Sequence, residues 1–341
     1  MSSNQKLMDS LTTRQIFIER YSKGEARRLL KHLQRLSNEL QAHISTEYER
    51  VRAVQLARQV SRLTNAILTE YGADLTDGIK QFAKDEAEFA GQAIVAATST
   101  NKFNMPSLRQ IQAVLTKNPM KLIGGKETQS LTIDQAVKQF SKKKSREIAQ
   151  LVRDGATVGR TSQEVARDIN QLITTRTRQQ AESLVRTATN HMGGQARSAT
   201  FAANDDVIVG EEYTATLDGR TTVSCASLDG KVYPIGEGPQ PPIHWACRSV
   251  RVPVVNPDYN VGADVTGERA SIDGPVSAQT TYGGWLKRQG ADVQDEVLGM
   301  ERAKLFRGGK LSIGKFTDDT GKIYSLEELR RLNPIVFNQT A

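Results

Sequence analysis

The chain has few aromatic residues and no long apolar segment. Phe, Trp and Tyr make up only 6% of its 341 residues, so its cores must be built mainly from Leu, Ile, Val and Ala. No run approaches the roughly 18 apolar residues that a membrane-spanning helix needs. The first residues lack the apolar core of a secretory signal. We therefore expect no membrane association, and a protein that is made and kept in a cytoplasm or packaged there.

The common sequence motifs of catalysis are also missing. The chain has no Gly-rich phosphate loop, no H-E-x-x-H helix and no nucleophile elbow. Its two cysteines, in a chain without signs of secretion, do not suit a disulfide scaffold. The length is that of roughly two domains.

The charge balance is basic, with 46 Lys and Arg against 38 Asp and Glu, for a net charge of +8. An excess of this size fits a solvated surface, and it also fits a nucleic-acid or acidic-protein partner. The arginines that surround the apolar stripes between residues 20 and 62 leave the same alternatives open. If they bind nucleic acid, we expect contacts to the phosphate backbone of double-stranded DNA, without sequence preference.

Leucines and other apolar residues recur every three or four positions in the first seventy residues, which predicts amphipathic helices. His43 and Glu47 interrupt the apolar seam, so an antiparallel or broken pair of helices fits better than a continuous coiled coil. Tyr71-Gly72 predicts a helix end. The histidines on predicted helices, His32, His43 and His191, are interpreted as surface or interface residues.

Further helices are predicted at 79–97, after Pro106, up to about Arg153 and at 176–203, with residues 117–130 as a linker. Thr161-Ser162-Gln163-Glu164 is a capping-box sequence that starts one more helix. β-Branched and aromatic residues then predict strands at 207–216, 231–233 and 250–255. Two helical pieces follow in the tail, around 285–306 and 326–332.

This pattern predicts an α+β fold that is mainly α, with an N-terminal helical region followed by a smaller mixed C-terminal domain. We divide the chain into a helical N-terminal region at 1–125, a second helical part at 126–204 and a mixed α+β region at 205–341. The boundary near 204 follows the change in composition at Asn204-Asp205-Asp206.

Both cysteines lie in the segment from Asp218 to Arg248. Cys225, His244 and Cys247 are soft or borderline ligands, and the three-residue spacing of His244 and Cys247 can direct both at one ion. With Asp218 or Asp229 as a fourth ligand, Asp218 being the first choice, they would form a tetrahedral structural zinc site. Two buried thiols beside a hydrogen-bonded histidine, or a disulfide, remain alternatives.

Catalytic interpretations of the same segment also remain. Cys225 and His244 could form a reactive thiolate pair. Asp218, Asp229 and His244 could bind a metal ion for a nuclease or hydrolase reaction. No further motif in the sequence supports either interpretation, so we expect no enzymatic activity.

The order of these residues resembles the phage Mu F-like minor head proteins, also called phage head morphogenesis proteins. The resemblance rests on Asp-x-Arg-Thr, Cys, Leu-Asp-Gly-Lys-Val and Pro-Pro-x-His-x-x-Cys-Arg, and it covers roughly residues 130–335. The matching positions are Asp218, Arg220, Thr221, Cys225, Asp229, Gly230, His244, Cys247 and Arg248. Ala188 and Ser249 depart from the family pattern, which often has an acid and a further cysteine there.

The resemblance implies a structural minor capsid protein of a tailed bacteriophage. Such a protein would associate with the portal and capsid proteins and act in head morphogenesis, genome packaging or delivery. It would be located in the virion, after assembly in the host cytoplasm. Some relatives bind DNA.

Overall fold

The first hundred residues form a helical hairpin. In this computed structural model, which describes residues 1–124, 127–262 and 267–338, helix α1 spans Ser3–Glu47 and helix α2 spans Ala53–Ala97. Arg35 of α1 pairs with Glu70 of α2, and the Tyr21 hydroxyl of α1 donates to the Gly78 carbonyl of α2. Residue numbers along α2 rise as those of their contact partners along α1 fall, so the two helices are antiparallel, as predicted.

The predicted helix end at Tyr71-Gly72 is wrong, because α2 continues to Ala97. Gly72 lies where α2 meets helix α4 (Ile133–Thr157). A Cβ atom at Gly72 would come within 2.5 Å of the Val137 Cγ1 atom. A glycine inside a helix costs about 1 kcal/mol relative to alanine, and here it allows close packing of the two helices.

The predicted linker at 117–130 is also wrong. After helix α3 (Leu108–Lys117), which follows Pro106 as predicted, strands β1 (Met120–Gly124) and β2 (Glu127–Leu131) form an antiparallel hairpin. Buried Met120 and Leu122 anchor the hairpin to the helical core. Pro119 and Gly124, which suggested a linker, therefore lie at the two ends of β1, and Gly125 lies outside the described residues.

One long helical rod follows. Helix α5 (Ser162–Leu172) begins at the predicted capping box, where the Thr161 hydroxyl accepts from the Glu164 amide. A π-helical turn at Ile173–Thr177 leads into helix α6 (Arg178–Ala202). A new helix is predicted from residue 176, but the backbone stays helical through Thr174-Thr175, whose hydroxyls donate to carbonyls of the preceding turn.

The remaining chain contains short strands and helices. Strands β3 (Ile208–Thr214), β4 (Val232–Tyr233) and β5 (Val250–Val255) form an antiparallel sheet in the order β4-β3-β5, which confirms the three predicted strands. Strands β6 (Glu268–Ser271) and β7 (Gly274–Ser277) form a hairpin. The helices are α7 (Val223–Leu228), α8 (Tyr282–Leu286), α9 (Ala291–Leu298), α10 (Met300–Arg307), α11 (Leu326–Leu332) and α12 (Pro334–Asn338).

The predicted fold class, mainly helical with a smaller mixed C-terminal part, is confirmed. Apolar contacts nevertheless cross residue 204, because Leu7 of α1, Ile94 of α2 and Val252 of β5 share one hydrophobic core. A second core fills the helical bundle and a third lies beneath α7 to α11. Among the described residues, no helix is both long and apolar enough to span a membrane.

A buried carboxylate connects helices α1, α2 and α6. Glu86 of α2 is 0% exposed and accepts from Arg14 Nε of α1 at 2.6 Å and from Arg197 Nη1 of α6 at 3.0 Å. Burial lowers the pKa of Arg197, and the charge of Glu86 opposes that shift. The three side chains therefore depend on one another for compensation of charge.

Removal of this carboxylate should strongly destabilise the fold. In Glu86→Ala, Arg197 is left buried without its partner, and we expect a loss of about 3–5 kcal/mol in the free energy of unfolding. Urea denaturation followed by circular dichroism measures this loss. The matched control is Glu70→Ala, which removes an exposed partner of Arg35 and should change little. Equal effects of the two substitutions would contradict the assigned role of Glu86.

His191 is not a surface residue, contrary to our expectation. It lies on the buried side of α6, and its Nε2–H donates to the Asn118 carbonyl at 2.9 Å. Burial lowers the pKa of His191 to about 4, although the hydrogen bond opposes this shift. The imidazole is therefore neutral in the folded protein at neutral pH.

Acid should destabilise the protein through His191. The unfolded chain has an imidazole pKa of about 6.5, so it binds a proton before the folded chain does. Stability should fall by up to about 3 kcal/mol as pH drops from about 6.5 to about 4. Urea denaturation across this window should show a smaller loss in His191→Gln than in the original protein. Identical pH dependence in the two proteins would contradict this assignment.

Candidate metal site

Cys225, His244 and Cys247 meet at one point, as the sequence predicts. Cys225 lies on α7, where its amide donates to the helix-capping Thr222 hydroxyl. His244 and Cys247 lie on the loop before β5, and Ala246 between them has a positive φ of 59° that turns the chain back. The three ligand atoms lie within 4.8 Å of one another. We call these three residues the Cys-His-Cys cluster.

The hydrogen bonds of His244 select its tautomer. Its Nδ1 atom lies 2.9 Å from the Trp245 carbonyl oxygen, which can only accept, so Nδ1 carries a proton. In the neutral ring, Nε2 then carries the lone pair, and this atom lies 3.1 Å from the Cys225 sulfur. A metal-bound histidine commonly has this arrangement, with its second nitrogen held by a carbonyl.

The two sulfurs share their protons unequally. Burial raises the pKa of both thiols. At Cys247, the Cys225 thiol and the protonated form of His244 outweigh burial and hold the pKa well below its ordinary value. At Cys225, burial and the neighbouring Cys247 sulfur raise the pKa well above its ordinary value. The lowered pKa of Cys247 favours its thiolate, the form in which cysteine binds a metal ion.

The spacing suits a tetrahedral metal. The Cys225 and Cys247 sulfurs are 3.6 Å apart and both cysteines are free. Two sulfurs bound at about 2.3 Å to one tetrahedral zinc lie about 3.8 Å apart, whereas a disulfide needs about 2.05 Å. The donor set of two sulfurs and one imidazole nitrogen fits a soft or borderline divalent ion.

Asp218 does not join the cluster, contrary to our expectation. Its carboxylate binds Arg248 through two hydrogen bonds of 2.5 and 2.7 Å, and it accepts from the Arg220 amide and the Thr221 hydroxyl. Burial raises the pKa of Asp218, but the bonds and charge of Arg248 outweigh it and leave the pKa below its ordinary value. Asp218 therefore fixes the turn that precedes α7.

Asp229 also has a structural environment. It is buried and accepts from the Ala215 and Tyr282 amides, while Arg269 donates to both of its oxygens. Gly230 follows with a positive φ of 79°, a conformation that favours glycine. The Asp-Gly pair thus ends α7 and joins it to the β6–β7 hairpin, and neither aspartate supplies the fourth ligand.

A tyrosine that the sequence analysis did not select lies beside the cluster. The Tyr213 hydroxyl of β3 donates to the Cys225 sulfur at 3.2 Å. Burial raises the pKa of Tyr213 well above its ordinary value, so the side chain is a neutral phenol. Ser249, where the resembled family often has a cysteine, is buried beside Tyr213 and Cys225. Among the described residues, no fourth Cys, His, Asp or Glu joins the cluster.

Helix α6 holds the loop that carries the cluster. The Ala246 amide donates to the Thr187 hydroxyl at 2.9 Å, and the Asn190 side-chain amide donates to the Cys247 carbonyl at 3.0 Å. Asn190 in turn accepts from Gln15 of α1. No local pattern in the sequence points to Thr187 or Asn190.

Residues 146–252 match the family described as Phage Mu protein F like protein. This segment, which is less than half of the chain, is similar to the phage Mu F-like family. The match contains the whole motif from Asp218 to Arg248 and both α6 residues that hold its loop. Similarity to this family suggests a role in phage head morphogenesis. No curated protein and no solved structure is detectably similar to the chain.

Proposed function

We propose that the protein is a structural minor head protein of a tailed phage that binds the portal protein or capsid proteins. In this proposal it acts in head morphogenesis, genome packaging or genome delivery, and it enters the virion after assembly in the host cytoplasm. The observation that carries the proposal is the family match over 146–252.

The environment of the motif supports a structural role over a catalytic one. Both aspartates that a nuclease or hydrolase could use are held by arginines in two-oxygen pairs. Both sulfurs are buried, so neither is presented to a substrate as a nucleophile. The Mu F-like motif supplies contacts that fix α7, the cluster loop and the β6–β7 hairpin, which is the behaviour of a folding motif.

The virion is where this proposal is tested. We expect mass spectrometry to detect the protein in purified proheads or mature heads. Inactivation of its gene should reduce the yield of infectious particles, and a plasmid copy should restore the yield. The Arg248→Ala copy should restore it poorly, because Asp218 loses its partner. Lys84→Ala, at an exposed position of α2, is the control and should restore it fully. Absence of the protein from all particles would refute the proposal.

We further propose that the Cys-His-Cys cluster holds one zinc ion. Zinc would supply a tetrahedral crosslink between α7 and the loop before β5, with Cys225, His244 and Cys247 as ligands. The small C-terminal part has short strands and short helices, so a crosslink of this kind would add to its stability. The donor set, the His244 tautomer and the sulfur spacing support this proposal.

Metal analysis of protein purified without chelator should give about one zinc per chain. Cys247→Ser and His244→Ala should lose the metal and unfold at lower temperature, whereas His43→Ala, far along α1, should keep it. Thiol titration of the unfolded protein should find both cysteines reduced. A folded protein without any metal would refute the zinc proposal, and loss of both thiols would favour a disulfide.

Non-specific binding of double-stranded DNA is a second proposal, supported by a basic cleft between α1 and α6. The cleft has a volume of about 260 Å³ and is lined by Lys23 and Arg27 of α1 and by Arg178 and Arg186 of α6. Arg178 pairs with Glu182 and Arg186 with Glu19, so part of the positive charge is compensated. Contacts of this kind neutralise phosphates and weaken as salt rises.

A further inference from the structure

A larger cleft lies between α4 and α6, beside the cluster loop. It has a volume of about 790 Å³, which lies within the range of about 300–1,000 Å³ that is typical of ligand-binding clefts. Ala136 and Phe140 of α4 and Leu184 of α6 contribute apolar side chains, and Trp245 of the cluster loop contributes its indole. The cleft is therefore formed by segments that are far apart in the sequence.

Trp245 is an exposed aromatic residue on a fixed backbone. Its side chain belongs to a residue that is 39% exposed, and among the described residues its indole nitrogen has no hydrogen-bond acceptor. The backbone around it is held on three sides, by His244 Nδ1, by Thr187 through the Ala246 amide and by Asn190 through the Cys247 carbonyl. A large aromatic side chain on a preorganised loop is a typical anchor of protein interfaces.

The cleft has a positively charged rim. Lys142, Lys143 and Arg146 of α4 line it and are exposed, and none of them forms an ion pair within the described parts of the chain. The acid that lines the cleft, Glu147, is paired with the buried Lys144 at 2.5 Å. Three uncompensated cations thus surround an apolar floor and one tryptophan.

We infer that this cleft is a docking site for an acidic segment of a protein partner, in which one apolar side chain packs against Trp245, Phe140 and Leu184. The carboxylates of that segment pair with Lys142, Lys143 and Arg146. The inference rests on the proposed function in one respect only, the identity of the phage protein that carries the acidic segment. Charge complementarity selects an acidic occupant, and the apolar floor selects a peptide over a phosphate backbone.

Nucleic acid suits this cleft less well than it suits the helix faces that carry exposed arginines, such as Arg58 and Arg62 of α2. A phosphate backbone offers no apolar group for Phe140 and Leu184, and stacking of bases on a single exposed indole requires an unpaired strand. Arg58 and Arg62 of α2 are exposed outside this cleft and form no ion pair in the described residues. DNA contacts and peptide contacts can therefore be separated by substitution.

The test uses the full-length protein and a short synthetic peptide that carries leucines at helical spacing among glutamates. Binding should protect Trp245 from acrylamide quenching, since the other tryptophan, Trp285, is already 1% exposed. By fluorescence anisotropy of labelled peptide, Trp245→Ala should weaken binding about 30-fold. The triple variant Lys142→Glu, Lys143→Glu, Arg146→Glu should weaken it about tenfold or more, and binding should fall with salt.

The matched control is the triple variant Arg58→Glu, Arg62→Glu, Lys84→Glu, which changes the net charge equally but leaves the cleft intact. It should bind the peptide normally, because its substitutions lie outside the cleft. Trp245→Phe, which keeps an aromatic ring, should retain most of the binding and shows that the loop is folded.

Three results would overturn the inference. The first is no binding of the acidic peptide, and the second is equal binding of a peptide in which lysines replace the glutamates. The third is that duplex DNA displaces the peptide from the original protein but no longer binds the variant with all three cleft cations changed to glutamate. The last result would identify the cleft as a nucleic-acid site. None of these results depends on whether the protein enters the virion, so failure of the docking site and failure of the proposed function are distinguishable.

Discussion

The buried carboxylate of Glu86 is the interaction on which the rest of the structure depends. It compensates Arg14 of α1 and Arg197 of α6 inside the bundle, and an uncompensated charge there costs several kcal/mol. Few other arrangements of the helices would bring both Arg14 and Arg197 to Glu86. The two ion pairs therefore fix the rotation of α6 about its axis. That rotation in turn presents Thr187 and Asn190 to the loop that bears His244 and Cys247. The position of the candidate metal site is therefore set in the helical bundle.

The C-terminal part follows the same pattern of buried, compensated charge. Asp218 with Arg248, Asp229 with Arg269 and Glu211 with Arg251 each join segments that are at least thirty residues apart. Short strands and helices bury too little apolar surface to fix their own arrangement. Two-oxygen pairs between arginine and aspartate are directional, so they specify how these short elements pack. The Mu F-like motif is thus explained by packing more than by chemistry at an exposed surface.

Local patterns in the sequence predicted what local physics determines. Leucine spacing predicted the antiparallel pair α1 and α2, the capping box at Thr161 predicted the start of α5, and β-branched residues predicted β3 to β5. The wrong predictions concern positions whose structure depends on residues that are distant in the sequence. Gly72 reads as a helix end until Val137 is seen to pack against it. From the sequence, Asp218 is a candidate metal ligand, but in the structure its carboxylate binds Arg248. The Cys-His-Cys cluster was predictable because the chain offers only two cysteines, whereas the Trp245 cleft is formed by β2, α4, α6 and a loop together.

One hydrogen bond couples the interior of the candidate site to its surface. The proton on His244 Nδ1 is held by the carbonyl of Trp245, the next residue in the chain. The orientation that directs Nε2 at the sulfurs therefore also fixes the backbone from which the exposed indole projects. A metal bound at Nε2 would strengthen this arrangement, because coordination removes the alternative tautomer in which Nδ1 lacks a proton. The buried cluster and the cleft between α4 and α6 thus share one loop, and the His244–Trp245 hydrogen bond connects them.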